Sequence, residues 1–354
     1  RAGLRTGPAR RARLPRSTSY GVRDPRAARI QRDIRRATPT MNTASANEAK
    51  ASFDHIYTQA TPHDYLQHLG RLDYSICDEF RPFCDAAARY LQARDGRVRM
   101  LDIGCSYGIN AAVAKFGTPF TELARCFDAN VPRASEHAEG VARRLFARLE
   151  PEVELECGGL DVSTPAIRFA RRVGLLDHGI DQDLEADDAE LAPADRSWLE
   201  GVNLLASTGA IGYVTDRTFR RVLDAMGSGG GQAVCLLTVL RMFDPEPVAR
   251  ALRAHGLQSA LIGDTLLPQR RFHDRQEQAD VVSLLRERKL DTGPEEGGRL
   301  YARLLVAARA EELPHVVRRL EQVSAHRPTL YRPPGAAAPS RAAGRSPSAE
   351  ATQS

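Results

Sequence analysis

The stretch over residues 97–116 constrains the fold more than any other part of the chain. Residues 98–103 are a short apolar run, which has the length of a buried strand and is too short for a helix. Gly104 and Gly108 follow, four residues apart, and allow the backbone to turn sharply. Residues 109–116 carry apolar side chains at the spacing of one helical face. A strand, a glycine turn and a helix predict the opening unit of a nucleotide-binding α/β domain, with its ligand at the strand's carboxyl end.

The glycine turn departs from the dinucleotide-binding fingerprint, which reads G-x-G-x-x-G. Residues 102–108 read DIGCSYG instead, with an acid inside the strand and no third glycine for close packing. This run resembles the first motif of class I S-adenosylmethionine-dependent methyltransferases, an acidic residue followed by x-Gly-x-Gly-x-Gly, with Ser106 at the middle glycine. The resemblance implies that the cofactor contacts Asp102, Gly104, Cys105, Ser106 and Gly108. The alternative is a tight strand–helix turn without a ligand.

The cofactor's ribose calls for a second acid, and two aspartates compete for that role. A carboxylate at the end of the second strand accepts from two adjacent ribose hydroxyls in this architecture. Asp161 follows the short apolar run 157–160 and precedes a helix that Thr164 would cap. Asp128 follows residues 123–127, a plausible strand, but no helix signal comes directly after it. We favour Asp161 and keep Asp128 as the rival.

The resemblance also implies where the adenine lies. Residues 179–185 correspond to the third-strand region of the family, where a backbone N–H and an acidic side chain frame the adenine. Asp183 and Leu184 are the candidates. The acidic run 181–190 is otherwise interpreted as a solvated loop.

The fourth strand and its exit loop, residues 202–214, give candidates for the acceptor side. Small residues at 206–210, Ser207 among them, suit a loop pressed against a cofactor. This loop lacks the Asp/Asn-Pro-Pro-Tyr of DNA- and protein-glutamine-methylating members, which disfavours those substrates. Tyr107 and Tyr213 are the candidate substrate contacts. Tyr213 is also the candidate general base, since no pair of residues identifies one.

Residues 47–94, before the first strand, predict a helical lead-in that covers the cofactor as a lid. Helices are predicted from Phe53 to Tyr57, from Pro62 to Leu72 and from Ile76 to Leu91. The candidate ligand contacts on this lid are Tyr57, His63, Tyr65, His68 and Tyr74.

Alternating strands and helices continue to about residue 307 and predict a Rossmann-like, doubly wound, mostly parallel sheet of seven strands. The methyltransferase domain is assigned to residues 95–310. Residues 311–354 form a C-terminal extension, which is rich in Pro, Ala and Ser and is expected to be disordered after about 330.

The first 40 residues hold twelve Arg and two acidic residues, whereas the whole chain has a net charge of +5. The rest of the chain is therefore net negative and has no basic footprint for nucleic acid. Three interpretations of the segment stay open: a transit peptide, a nucleic-acid-binding arm, or sequence translated upstream of a start at Met41. In each case residues 1–46 are expected to be disordered.

No run of eighteen apolar residues predicts a membrane span. The six cysteines show no metal-ligand spacing, and the carboxylates show none either, so we expect reduced thiols, a cytoplasmic location and no bound metal.

The resemblance implies an enzyme that transfers the methyl group of S-adenosylmethionine to a small molecule, at oxygen, nitrogen or carbon. Such an enzyme aligns the nucleophile with the sulfonium and excludes water. The alternatives are a non-catalytic binding module of the same fold and, with less support, an NAD-dependent dehydrogenase.

Overall fold

The computed structural model describes residues 54–133, 137–327 and 330–331. The predictions for residues 1–46 and for the tail after 331 lie outside these residues. The centre of the described fold is one sheet of eight strands, in the order β3-β2-β1-β4-β5-β8-β6, with β7 paired to β8. The strands are β1 (Arg99–Ile103), β2 (Glu156–Leu160), β3 (His178–Ile180), β4 (Leu204–Thr208), β5 (Val234–Leu240), β6 (Leu257–Leu261), β7 (Leu267–Arg271) and β8 (Arg299–Arg309).

The doubly wound α/β architecture is confirmed, but the count of seven strands is wrong. Strands β1 to β5 pair in parallel, and β8 runs antiparallel between β5 and β6. The additional strand, β7, has the sequence LPQRR and no apolar run, so its hydrophobic pattern gave no strand signal. It pairs only with β8, and Pro268 is tolerated there because an edge strand needs fewer backbone donors.

Thirteen helices are assigned within the described residues. They are α1 (Asp54–Tyr57), α2 (His63–Arg71), α3 (Ile76–Asp95), α4 (Ile109–Phe116), α5 (Phe120–Asn130), α6 (Ala138–Phe146), α7 (Thr164–Arg172), α8 (Pro193–Leu199), α9 (Asp216–Ala225), α10 (Glu246–Ala254), α11 (Arg275–Glu287), α12 (Gly293–Glu296) and α13 (Leu313–Ala325). Helices α4 and α13 pack on α3, while α9 and α10 pack on each other. The predicted lead-in helices are α1, α2 and α3.

The segment proposed as a strand before Asp128 is helical. Residues 120–130 form α5, in which Phe120, Leu123 and Phe127 are buried at spacings of three and four. This spacing places the three side chains on one face of a helix. The prediction of a strand over 123–127 is therefore wrong.

The register of the parallel strands brings their carboxyl ends to one edge of the sheet. Asp102 of β1 lies opposite Gly159 of β2 and Ala206 of β4. The glycine turn after β1, the loop after β2 and the loop after β4 therefore meet at this edge. Open α/β sheets bind their ligands at such an edge.

Candidate functional site

The glycine turn after β1 has three residues in the left-handed region of backbone conformation. The φ angles are 75° at Gly104, 48° at Ser106 and 73° at Gly108. Glycine adopts such angles readily, whereas the Cβ of Ser106 makes its conformation unfavourable. A Cβ on Gly104 would lie 2.3 Å from the Cβ of Ala210, so Gly104 also permits the loop after β4 to approach the turn.

Asp161 joins the glycine turn to the loop after β2. Its Oδ2 accepts from the backbone N–H of Ser106 at 2.8 Å, and its Oδ1 accepts from that of Ser163 at 2.9 Å. Burial raises the pKa of Asp161, and these two N–H donors act against the rise. Each carboxylate oxygen retains acceptor capacity for one more donor. A carboxylate held in this way can accept from two neighbouring hydroxyl groups of a ligand.

The rival acid, Asp128, lies elsewhere. It is exposed on α5, and its Oδ1 lies 3.6 Å from a guanidinium nitrogen of Arg133. The structure thus brings Asp161, and not Asp128, to the glycine turn. Ser163 rather than Thr164 caps α7, because its hydroxyl accepts from the N–H of Ala166.

Buried polar groups without partners surround the start of α4. Asp102 is 1% exposed and Asn110 is 5% exposed, and neither side chain makes a satisfactory hydrogen bond within the described residues. The hydroxyl of Ser106 is buried and unpartnered as well. Burial raises the pKa of Asp102 to about 7, the nearby amide of Asn110 acts against the rise, and the charge of Asp161 adds to it. Buried polar groups are normally hydrogen-bonded, so this cluster suits a polar ligand.

Asn110 is not among the residues that the sequence predicted to bind the cofactor. The available signal was an amide side chain in the first turn of a helix whose other early residues are apolar. That helix begins at the glycine turn, where a ligand is expected.

The acidic segment after β3 is attached to the start of helix α9 through Glu185, while several of its other acidic side chains are exposed. The carboxylate of Glu185 accepts from the N–H and hydroxyl of Thr215 and from the hydroxyl of Thr218. Asp183 is exposed and accepts from the N–H of Glu185, whereas Leu184 is buried. Gln182, which lies closer to the end of β3, has a buried Oε1 without a partner among the described residues. This amide was not predicted and is a further candidate for adenine contact.

Two loops at the sheet edge present apolar side chains to solvent. Val162, directly after Asp161, is 66% exposed, and Tyr213, in the loop after β4, is 47% exposed. Apolar side chains exposed beside polar groups are typical of a small-molecule site. Ser207 has a different position: it is fully buried, and its hydroxyl donates to the carbonyl of Ile103, which joins β4 to β1.

Helix α1 is fastened over the candidate site by two side-chain hydroxyls. The hydroxyl of Tyr107 donates toward the carbonyls of Ile56 at 3.1 Å and Gln59 at 2.8 Å. Ser163 donates to the carbonyl of Tyr57 at 2.5 Å. Burial raises the pKa of Tyr107. Tyr107, predicted as a substrate contact, therefore binds the backbone of the lid and is poorly suited to accept a proton.

The five candidate lid residues do not gather at one place. Tyr65 lies near both Tyr57 and Tyr107, with ring centroids 5.5 and 5.6 Å apart, beneath the lid. His63 is buried and contacts Val131 and Thr61 through its two ring nitrogens. Tyr74 packs on Phe120, as Tyr65 also does, whereas His68 lies apart and stacks on His273.

The side chain of Cys105 packs between the glycine turn and β2. Cys105 is buried, and burial raises its pKa well above the ordinary thiol value. A Cβ on Gly159 would lie 2.4 Å from its sulfur, so β2 carries glycine where the turn packs against it.

A surface cleft of about 470 Å³ does not coincide with this site. It lies beside α7 and is lined by Arg168, Arg171, Asp177 and Asp181, among others. None of the residues predicted to bind the cofactor lines it. Within the described residues, no group of three or more His, Cys, Asp or Glu side chains is arranged to hold a metal ion. No helix of the same residues has the length and apolar character that crossing a membrane requires.

The chain matches no protein-family model and no curated protein. Solved structures are similar to parts of it at low identity. A TehB-like SAM-dependent methyltransferase from Corynebacterium glutamicum is 12% identical, with a TM-score of 0.26 over 62% of this chain and 86% of that one. An O-methyltransferase of a trans-AT PKS multienzyme from Brevibacillus brevis, in complex with S-adenosyl-L-homocysteine, is 11% identical, with a TM-score of 0.31 over 77% and 84%. A SAM-bound amino pentose methyltransferase from Micromonospora echinaspora is 13% identical, with a TM-score of 0.29 over 64% and 89%.

Proposed function

We propose that this chain is an S-adenosylmethionine-dependent methyltransferase that acts on a small-molecule acceptor. The observation that carries the proposal is the position of Asp161, whose carboxylate is hydrogen-bonded to the glycine turn at the carboxyl edge of the sheet. An acid and a turn in this arrangement match what a ribose and an amino-acid group require. The same motif, DIGCSYG, resembles the first motif of this enzyme class.

The residues at the edge fit the parts of the cofactor. Asp161 would bind the ribose hydroxyls, and the buried unpartnered groups of Asp102, Asn110 and Ser106 would bind the amino-acid end. The amino-acid end carries an ammonium and a carboxylate, which supply a donor for Asp102 and an acceptor for the amide of Asn110. Val162, exposed beside Asp161, would contact the adenine ring. The predicted contacts of Asp183 and Leu184 stay predictions.

When bound, S-adenosylmethionine supplies an electrophilic methyl group. The residues of this chain position the two reactants and exclude water, which accounts for much of the rate of such a displacement. Helix α1 covers the turn through Tyr107 and Ser163 and provides this exclusion. Tyr213 is the candidate base for an acceptor that must lose a proton. A cytoplasmic location and the absence of a nucleic-acid partner likewise remain predictions.

Calorimetric titration of the full chain with S-adenosylhomocysteine and with NAD tests the proposal. We expect one molecule of S-adenosylhomocysteine to bind and NAD not to bind. Binding of NAD alone would instead favour a dehydrogenase. Binding of neither ligand would refute the proposal and favour a module that retains the fold without its cofactor.

A further inference from the structure

Three arginines converge just beyond the carboxyl end of β5. Arg241 is the first residue after this strand, and its N–H donates to the carbonyl of Tyr301. Arg303 lies on β8 opposite Val239, the second-last residue of β5. Arg288 follows α11 directly and donates to the carbonyl of Met242 at 2.6 Å. The three side chains thus come from three separate elements.

Ion pairs balance the positive charge of this cluster only at Arg241, among the described residues. Arg241 pairs with Glu295 and also donates to the carbonyl of Asp291. Arg288 and Arg303 form no ion pair within the described residues. Arg303 makes no hydrogen bond there either, and its Nε is buried. Asp244 is the carboxylate whose charge acts on both of these arginines.

Arg303 remains positively charged at neutral pH. Burial, together with the neighbouring charges of Arg288 and Arg241, lowers its pKa to about 10. Arg303 is half-buried and its Nε is enclosed. A cation that is partly buried without an ion-pair partner destabilises the fold unless a ligand of opposite charge compensates it. The guanidinium group has a planar set of donors that matches the two oxygens of a carboxylate or phosphate.

The cluster lies beside the candidate cofactor site and is connected to it through one loop. A Cβ on Gly212, in the loop after β4, would lie 2.4 Å from the ring of Phe243, two residues after Arg241. Ala210 of the same loop closely approaches Gly104 of the glycine turn. The loop over residues 209–214 therefore contacts the glycine turn through Ala210 and, through Gly212, the segment after β5 in which Arg241 lies. A methyl acceptor must occupy a position of this kind, next to the cofactor and not in its place.

We propose that the acceptor is an anionic small molecule whose carboxylate or phosphate group binds Arg303 and Arg288. The proposal rests on the proposed methyltransferase function, because it names the substrate class of that site. The competing explanation is structural, namely that the arginines attach helices α11 and α12 to the sheet. The two explanations predict opposite effects of removing the charge of Arg303.

The test compares Arg303→Met with the parent. Methionine has a similar length and removes the charge, so the anion explanation predicts a higher melting temperature in chloride buffer of constant ionic strength. It also predicts that low-millimolar phosphate or benzoate stabilises the parent, whereas apparent binding to the variant is about tenfold weaker or more. If phosphate stabilises the parent more than benzoate does, the acceptor carries a phosphate group, and the reverse order indicates a carboxylate. Arg250→Met is the matched control, because Arg250 is exposed on α10 and its loss changes the net charge equally.

A melting temperature that falls in Arg303→Met would support the structural explanation and overturn the proposal. The same conclusion would follow if the anions stabilised parent and variant equally. Titration with S-adenosylhomocysteine separates the inference from the proposed function. We expect parent and variant to bind it equally, and loss of binding in the variant alone would assign Arg303 to the cofactor's own carboxylate and contradict the acceptor site. Failure of the parent to bind it would refute the methyltransferase, while Arg303-dependent anion binding would still establish an anion site.

Discussion

Replacement of Asp161 by alanine tests the central assignment of the site. In the free protein, this carboxylate accepts the N–H groups of Ser106 and Ser163 at 2.8 and 2.9 Å. In the proposed complex, it accepts two ribose hydroxyls as well. Asp161→Ala therefore removes four acceptor contacts, two of which belong to the ligand.

The magnitude follows from the two ligand contacts. A hydrogen bond to a charged group contributes about 1.5–3 kcal/mol, so two of them contribute about 3 kcal/mol or more. Every 1.4 kcal/mol is about tenfold in affinity, which predicts at least a hundredfold weaker binding. The N–H groups of Ser106 and Ser163 lose their acceptor as well. Where water replaces that acceptor only in part, each loss lowers the free energy of unfolding by about 1 kcal/mol.

Calorimetry with S-adenosylhomocysteine measures the affinity, and circular dichroism with thermal melting verifies the fold. Asp128→Ala is the matched control, since it removes an exposed carboxylate whose nearest cation lies 3.6 Å away, and we expect it to bind like the parent. The 2′-deoxy analogue of the ligand separates the ribose contact from disorder in the turn. The parent should bind this analogue much more weakly than S-adenosylhomocysteine. Asp161→Ala should bind the two ligands with similar affinity, because the variant lacks the carboxylate that accepts from the 2′-hydroxyl.

A folded Asp161→Ala protein whose dissociation constant stays within about threefold of the parent would refute the ribose assignment. Weak binding in Asp128→Ala instead would transfer that role to the rival acid. Equal discrimination against the 2′-deoxy analogue in both proteins would show that Asp161 acts only through the turn.

Three further predictions concern residues around the same turn. Folded Asp102 keeps its proton up to pH about 7, whereas the unfolded chain loses it near 3.8, so this residue's contribution to the free energy of unfolding decreases as the pH rises between these values. This decrease reaches about 4 kcal/mol at pH 8, and Asp102→Asn should remove it. Urea denaturation at pH 5 and at pH 8 measures the change in the free energy of unfolding, and an equal change in parent and variant would contradict the prediction. Ser106→Gly should be about 1 kcal/mol more stable than Ser106→Ala, because both lack the hydroxyl and only alanine retains a Cβ at a φ of 48°; equal melting would mean that the turn relaxes. Tyr107→Phe should weaken the attachment of α1 by about 1 kcal/mol, because it removes the hydroxyl that donates to the carbonyl of Gln59. Dissociation of S-adenosylhomocysteine should then be about fivefold faster in stopped-flow measurements, and an unchanged rate would exclude a lid role for α1.

Local sequence patterns were sufficient to predict the part of the site that is formed by one continuous segment. The run 98–116 folds as strand, turn and helix because its apolar periods and its glycines act over a few residues only. The strand before Asp161 and the capped helix after it were predicted for a similar reason, while its role as the ribose ligand stays a prediction. Helix α5 has an equally local pattern, and its period of three to four should have excluded a strand before Asp128.

Other features of the site depend on which segments meet in space, and no local pattern encodes that. Strand β7 forms because β8 extends past the end of β6 and offers unpaired backbone groups on that edge, although LPQRR has no strand signal of its own. Tyr107 was predicted to contact the substrate, whereas in the structure its hydroxyl donates to the carbonyls of Ile56 and Gln59. The charge of Arg303 is ordinary in the sequence, and only the fold places it beside Arg241 and Arg288 without an ion pair among the described residues. Sequence alone determined the glycine turn and the strand and helix that flank Asp161, because their geometry is set by neighbouring residues. Tertiary structure decided the attachment of α1 to Tyr107 and Ser163 and the meeting of the three arginines, because both depend on contacts between residues far apart in the chain.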